Sequence, residues 1–486
     1  MSSTALNILS NGVTAKRSRV LVILFALCLI LATAALLLWS PGEAALSREA
    51  MLTLLVFTGT LLGWTVLRLP ETPVALAGAL ALILGGAVEE DALADALGHD
   101  ITWLLIAAFV IGGVLRRTGL TERLAFALLA RCGSVGGVFL ACTGIILATA
   151  YVIPSTSARA AVLLPVFLGL SETIDQPRVT RALGLLFPSV ILFSACASLL
   201  GAGAHLVAVD YIDALDAGPE PSFATWAALG LPFALGCSAL ACLVIRLLFL
   251  SGPEWSSPLS RRPAAEARRD KATTRRDRVV LVVLCVTVAF WCTSSWHGIG
   301  AATIALVAAL LLASPGTSGV SFQEALKGIE WGLVVFLAAS MVIGEALLDS
   351  GAAEWLVEGT CSVLSATSPS PAFIALAVAI LSALAHLLVV SRTARAGVLI
   401  PALALPLGSF AEPAALILIV TMGSGFCQTL LVSAKPVTLF GAGDAPPFAQ
   451  TDLLRLSLWL LPGFVLLLTG CALVLWPWLG VPLVRG

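Results

Sequence analysis

Charge is what this sequence has least of. Only 11% of its 486 residues are Asp, Glu, Lys or Arg, while 59% are hydrophobic and the mean hydropathy is +1.03. A soluble globular chain carries roughly a quarter charged residues, so a water-solvated core of this size is excluded and lipid is the expected solvent. Catalytic signatures are missing as well. No His/Cys/Asp/Glu cluster has metal-ligand spacing, and there is neither a P-loop nor a GxSxG elbow, which argues against a metalloenzyme, an intrinsic ATP motor and a serine hydrolase. The eleven cysteines include Cys28, Cys142, Cys196, Cys237, Cys285, Cys427 and Cys471; these stand singly in apolar stretches without CxxC spacing and read as small packing residues. No catalytic residue, no metal and no cofactor are expected, apart from sodium as a possible coupling ion, and nothing suggests a nucleic-acid partner.

What is present is a series of apolar runs, near 19–39, 50–69, 72–89, 101–115, 137–153, 160–170, 183–200, 222–249, 279–295, 299–313, 331–348, 372–390, 396–410, 412–432 and 456–479. A crossing of the hydrocarbon takes roughly 20 residues, and the runs at 160–170 and 396–410 are short, each preceded by a polar cluster. Irregular backbone at membrane depth is tolerated where protein or a watery cavity covers it. The expectation is an all-α polytopic membrane protein of about eleven transmembrane helices plus two re-entrant hairpins. The first run follows Lys16, Arg17 and Arg19 but lacks an AxA-type cleavage site, so it reads as a first membrane helix rather than a signal peptide.

Cytoplasmic loops carry the excess of Lys and Arg. Arg68, Arg116, Arg117, Arg123, Arg131, Arg178, Arg181 and Arg455 then fall on the side of the N-terminus, and the loops at 89–100 and 210–221 on the other side are acidic. This predicts a plasma (inner) membrane protein with a cytoplasmic N-terminus and an external C-terminus. The expected domains are a tail at 1–18, a first membrane half at 19–250, a basic cytoplasmic linker at 251–278 and a second half at 279–486. The linker reads as a flexible positive-inside connector, with anionic-lipid recognition as its alternative.

The halves resemble each other. Ile101-Thr102-Trp103, Thr118-Gly119-Leu120-Thr121-Glu122 and Ser155-Thr156-Ser157-Ala158-Arg159-Ala160, closing on Pro165, recur in order as Ile329-Glu330-Trp331, Ser350-Gly351-Ala352-Ala353-Glu354 and Ser391-Arg392-Thr393-Ala394-Arg395-Ala396, closing on Pro401. Under the predicted topology the hairpins enter from opposite sides, making the repeats inverted. A helix break follows each hairpin, at Gly201-Ala202-Gly203-Ala204-His205 and at Ser433-Ala434-Lys435-Pro436. Interrupted helices at corresponding places in inverted repeats point to a transporter site near the midplane.

The residue types there point to an anion. Arg159 and Arg395 occupy matching positions in apolar sequence, where a guanidinium fork suits carboxylate, sulfate or phosphate. Ser155, Thr156, Ser157, Ser391 and Thr393 add neutral donors, and helix N-termini add positive dipole ends. The competing role for each arginine is snorkelling or pairing with a buried acid. Arg392 and Lys435 have two readings, ligand or fixed structural cation. His205 and His386 read as packing residues, with proton coupling as the alternative.

Together these features resemble the divalent anion/sodium symporter family, within the larger ion transporter superfamily, over roughly residues 50–480. That family carries Ser-Asn-Thr at each hairpin tip, where this chain has Ser155-Thr156-Ser157 and Ser391-Arg392-Thr393. Lys435-Pro436-Val437-Thr438 resembles its Thr-Pro-Pro-Asn stretch. The resemblance implies a scaffold and a transport domain, a homodimer, elevator-type alternating access, and a dicarboxylate, citrate or sulfate substrate lying near Ser155, Ser157, Ser391 and Thr393. The family's Asn helps to hold sodium, and its replacement by Thr156 and Arg392 implies altered or lost sodium coupling. A passive anion pore with rings of Arg, or another superfamily member such as an arsenite or proton-coupled carrier, is the alternative.

Overall fold

A backbone in hydrocarbon must satisfy its own polar groups, which restricts spanning segments to helices and closed barrels. This chain takes the helical solution. The computed structural model describes residues 46–174, 176–217, 221–258, 275–364, 369–442 and 446–484, and among them there are helices and turns but no strand beyond one isolated bridge between Ser134 and Pro258. The first expected crossing at 19–39, the tail at 1–18 and most of the basic linker lie outside the described residues.

The principal helices are α1 (Arg48–Thr65), α2 (Glu71–Leu84), α3 (Asp100–Thr118), α4 (Val135–Thr149), α5 (Thr156–Ile174), α6 (Pro177–Ser194), α7 (Gly203–Ala214), α8 (Phe223–Phe249), α9 (Arg275–Cys292), α10 (Ala301–Leu312), α11 (Trp331–Asp349), α12 (Pro371–Leu384), α13 (Arg392–Leu399), α14 (Pro413–Gly423), α15 (Lys435–Phe440) and α16 (Gln450–Gly470). Their starts carry local signals: Ser134, Ser222, Ser370 and Ser391 each accept an amide of the first turn of α4, α8, α12 and α13, the N-cap arrangement that relieves orphan N–H groups. Arg116 and Arg117 lie in the last turn of α3, and Gly119 at φ 62° ends it, as the macrodipole and a left-handed C-terminal residue favour.

Six helices among the described residues are long and apolar enough to span a bilayer, and five shorter apolar ones accompany them. The outward faces are apolar too: Leu140, Leu458 and Leu466 are more than 60% exposed, an arrangement suited to lipid rather than water. The protein is thus an all-α polytopic membrane protein. The short run expected at 160–170 is the middle of the 19-residue α5, whose polar first turn runs from Thr156 to Arg159; Arg159 is buried there with its guanidinium bonded inside the protein.

The packing crosses between halves. The half-helix α7 from the first half lies against α13, the short helix at the second hairpin tip, while the half-helix α15 from the second half lies against α5, at the first tip. Helices α6 and α8 pack together at the centre, α16 joins α8, and α2 packs on α11 on the other side. The irregular segments therefore meet in the interior.

Candidate functional site

The site begins with two backbone breaks. After α6 the chain makes two short 3-10 turns, reaches Ala202 at φ −157°, ψ 149°, and starts α7. After α14 it runs irregularly to Ala434 at φ −156°, ψ 146°, and starts α15. Two extended residues with the same dihedrals launch two half-helices. Opposite them stand the hairpin tips, Ser155 at φ 75° before α5 and Ser391 capping α13.

These four features enclose an open cavity of about 670 Å³. Of the residues singled out in the sequence, Ser155, Thr156, Ser157, Ser391, Arg392, Thr393, Arg395, Ala202, Gly203, Ala434, Lys435 and Pro436 line it. Gly203 has a steric reason to be glycine: a Cβ there would stand 3.0 Å from Thr393 Oγ1 and 2.9 Å from Leu333 Cδ1. The missing side chain lets the second hairpin tip reach the first broken helix.

Arg159, Gly201, Ser433, His205 and His386 do not line the cavity. Arg159 is fully buried, and its guanidinium donates to Thr149 Oγ1 (3.1 Å) and Ile146 O (2.6 Å) at the end of α4 and to Ile191 O (3.0 Å) and Ser194 Oγ (2.6 Å) at the end of α6. Gly201 backs onto the Ala195 carbonyl, and Ser433 accepts the Leu430 amide inside its own turn. His205 is buried against the Trp226 ring, with Nδ1 2.9 Å from Ser198 O and Nε2 3.1 Å from the Arg392 guanidinium. A carbonyl can only accept and a guanidinium can only donate, so the partners assign the proton to Nδ1 and leave Nε2 as acceptor. His386 lies apart, its Nδ1 on Ala383 O and its ring against Phe426.

Arg395 repeats the geometry of Arg159. Each is the fourth residue of its helix. Arg395 donates to Val389 O (2.7 Å) and Val390 O (3.3 Å) in the first arm of its hairpin, and to Ser424 O (2.8 Å) and Cys427 Sγ just after α14. Both guanidiniums thus tie a hairpin tip to the end of the following helix, where unpaired carbonyls collect. Arg395 reaches the cavity wall with these bonds already made. Arg392 is held more loosely, at 3.1 to 3.5 Å from His205 Nε2, Cys196 Sγ, Ser424 Oγ and Leu192 O. Lys435 is exposed to the cavity.

The opposite wall holds residues that the sequence did not single out as site candidates. Arg68 comes from the α1–α2 connection, Glu71 and Thr72 from the first turn of α2, and Glu330 is the residue before α11. Thr72 Oγ1 donates to Gly332 O (2.7 Å), joining these two segments, and Ser155 Oγ donates to Glu330 Oε1 (3.0 Å), bridging the cavity to the first hairpin tip. Their sequence signal was slight: a charged residue beside Pro70, and a charged residue before an apolar run. Among the described residues the lining carries four cations, Arg68, Arg392, Arg395 and Lys435, and two carboxylates, Glu71 and Glu330. The balance is positive, in a space with hydroxyl donors on both tips, and such a space suits an anion with more than one charge.

Known proteins resemble this chain in the same direction. The sequence profile of a family described as citrate transporter matches residues 52–423. The chain is 25% identical over 464 residues to dicarboxylate transporter 1, chloroplastic, of Spinacia oleracea, which covers 92% of this chain and 78% of that protein. It is 22% identical over 440 residues to the sodium-dependent dicarboxylate transporter SdcS of Staphylococcus saprophyticus, covering 84% and 83%. The solved structure of the YdaH transporter of Alcanivorax borkumensis, described as having an unusual topology, matches with a TM-score of 0.58 at 14% identity over 90% of this chain and 100% of that one; that likeness is one of fold.

Proposed function

Because the chain belongs to the citrate transporter family, and is a membrane transporter rather than an enzyme, we propose that it carries small di- or tricarboxylates by exchange through an elevator-type movement. The observation that carries this reading is the single cavity joining both hairpin tips and both helix breaks, with an excess of fixed cations over carboxylates. The hydroxyls of Thr156, Ser157, Ser391 and Thr393 and the charges of Arg392 and Lys435 bind the anion. Arg159 and Arg395 act one layer behind, holding the two tips in shape.

Exchange follows from the kind of cation present. Arg392 has around its guanidinium a carbonyl, a hydroxyl, a thiol sulfur and an imidazole nitrogen, acceptors that suit a positive charge. A tethered guanidinium fills that place and never dissociates. An empty carrier would then move Arg392, Arg395 and Lys435 together, leaving Glu71 and Glu330 behind on the scaffold wall. A charge near the bilayer centre costs at least about 3 kcal/mol, so the crossing is favoured when a di- or trianion travels with it. Sodium is not required in this scheme. The relatives named sodium-dependent differ from it in that respect.

The proposal extends to the two halves, 19–250 and 279–486, as inverted repeats joined by the linker at 251–278, and to a homodimer in the plasma membrane with the N-terminus cytoplasmic. Matching backbone at Ala202 and Ala434, and matching bonds at Arg159 and Arg395, support the repeat. The test is competition binding on purified protein with citrate, a four-carbon dicarboxylate, sulfate and a monocarboxylate. Dicarboxylate or citrate should bind at least about ten-fold tighter than the monocarboxylate, a difference of 1.4 kcal/mol, and Arg392→Gln or Lys435→Gln should abolish that preference. A monocarboxylate that binds equally well, or variants that keep the full preference, would sink the reading; sulfate binding best would move the substrate class.

A further inference from the structure

A second charged cavity lies well away from the first. It measures about 380 Å³ and sits where the start of α6, the end of α8 and the start of α16 meet. Its polar lining is dominated by Arg178, Arg181 and Arg455, with Asp452 the one carboxylate among the described lining residues; its floor is Leu248, Phe249 and Leu250.

The arginines are not neutralised by tight pairs. Arg181 Nε stands 3.8 Å from Asp452 Oδ2 and Arg178 stands 3.7 Å from Glu254 Oε1, both beyond hydrogen-bond length. Each acid is occupied elsewhere. Asp452 Oδ2 accepts the Ala449 amide at the start of α16, and Glu254 Oε2 accepts the Ser251 amide and hydroxyl, both at 2.7 Å. Those Ser251 bonds hold the Glu254 carboxyl below its usual range. The Arg455 guanidinium meets the face of Phe249 at 5.9 Å. Three forks of N–H donors therefore border one hollow, with their nearest acids committed to helix caps.

Exposed apolar side chains lie on the helix ends that form the hollow. Leu243 and Leu247, the latter 69% exposed, form an outward apolar stripe at i, i+4 on the last turns of α8. Leu454, Leu458 and Trp459 do the same on α16, with Leu458 74% exposed. Both stripes belong to the helices whose ends supply Phe249 and Arg455 to the hollow. Just beyond the end of α8, Trp255 receives the Arg246 guanidinium 4.8 Å above its ring, the amphipathic aromatic and basic pair characteristic of headgroup depth.

We propose that this cavity binds the phosphate headgroup of an anionic phospholipid, with acyl chains lying along the Leu243–Leu247 and Leu454–Leu458 stripes. Guanidinium forks match phosphate oxygens, and basic pockets between transmembrane helices hold anionic headgroups. The site is independent of what the central cavity carries, so its failure leaves the transport reading untouched.

The test is native mass spectrometry and thermal unfolding of the purified full chain with added phosphatidylglycerol, phosphatidylcholine or inorganic phosphate. Wild-type protein should retain phosphatidylglycerol at least about five-fold over phosphatidylcholine and unfold at a higher temperature in its presence. The triple variant Arg178→Gln, Arg181→Gln, Arg455→Gln should lose that preference, while the triple Arg→Lys variant keeps most of it and certifies that the fold tolerates change there. Equal retention of the two lipids by wild type, or an undiminished preference in the Gln variant, overturns the site. Protection by millimolar inorganic phosphate that the Gln variant loses would overturn the lipid and assign a soluble phosphate instead.

Discussion

At the scale of single residues, Arg159 and Arg395 set the terms. Each is almost without exposure; Arg159 spends its guanidinium on the ends of two helices, and Arg395 on the arm of its hairpin and the end of α14. Removing either leaves carbonyls such as Ile191 O and Val389 O without those donors, at roughly 1–3 kcal/mol per orphaned group. Arg159→Ala is therefore expected to lower the unfolding free energy by more than about 2 kcal/mol, read as a drop in thermal midpoint in detergent. The molecules that remain folded should still bind substrate. An unchanged midpoint with lost binding would instead make Arg159 a ligand. The sequence located both arginines by their recurrence, but recurrence is the same whether a guanidinium faces a cavity or a helix end. Glu71 and Glu330 were harder to see, because each reaches the cavity from the start of a helix remote in sequence from either tip.

At the scale of elements, the breaks and the tips were legible because Gly, Pro and hydroxyl clusters interrupt long apolar runs. What spacing alone did not reveal is that the half-helix of each half rests on the tip of the other. That crossing puts Gly203 where the Thr393 side chain of the other half arrives, and an equally close approach recurs within the second half. A Cβ on Gly425 would stand 3.0 Å from the Arg392 guanidinium and 2.9 Å from Met422 O. Gly425→Ala should therefore push Arg392 aside and weaken anion binding by about ten-fold, or 1.4 kcal/mol, with some loss of thermal midpoint because the Met422 carbonyl must shift as well. Titration calorimetry measures the affinity; wild-type affinity in this variant would show that Arg392 does not hold the substrate. Ser155 adds an element-scale contact of another kind. Its hydroxyl bond to Glu330 joins a hairpin tip to the opposite wall and must break if the tip moves. Glu330→Ala is expected to raise the rate of exchange without removing binding, which stopped-flow counterflow would detect; an unchanged rate would mean that the bond does not restrain movement.

At the scale of the whole molecule, charge organises the account. Lipid-facing surfaces are apolar, and the central cavity gathers Arg392, Arg395 and Lys435 on the wall built from hairpins and broken helices, and both acids together with Arg68 on the wall built from α1, α2 and α11. Low charge and long runs made the membrane class plain from composition, whereas the division of charge between two walls required the fold. A wall with fixed positive charge crosses the membrane most readily with its anion in place. The direct measurement is uptake of a labelled four-carbon dicarboxylate by purified protein in liposomes, with sodium replaced by choline. Saturable uptake that requires unlabelled dicarboxylate inside, and is indifferent to sodium, is the predicted result. Uptake into empty liposomes driven by an inward sodium gradient would contradict it.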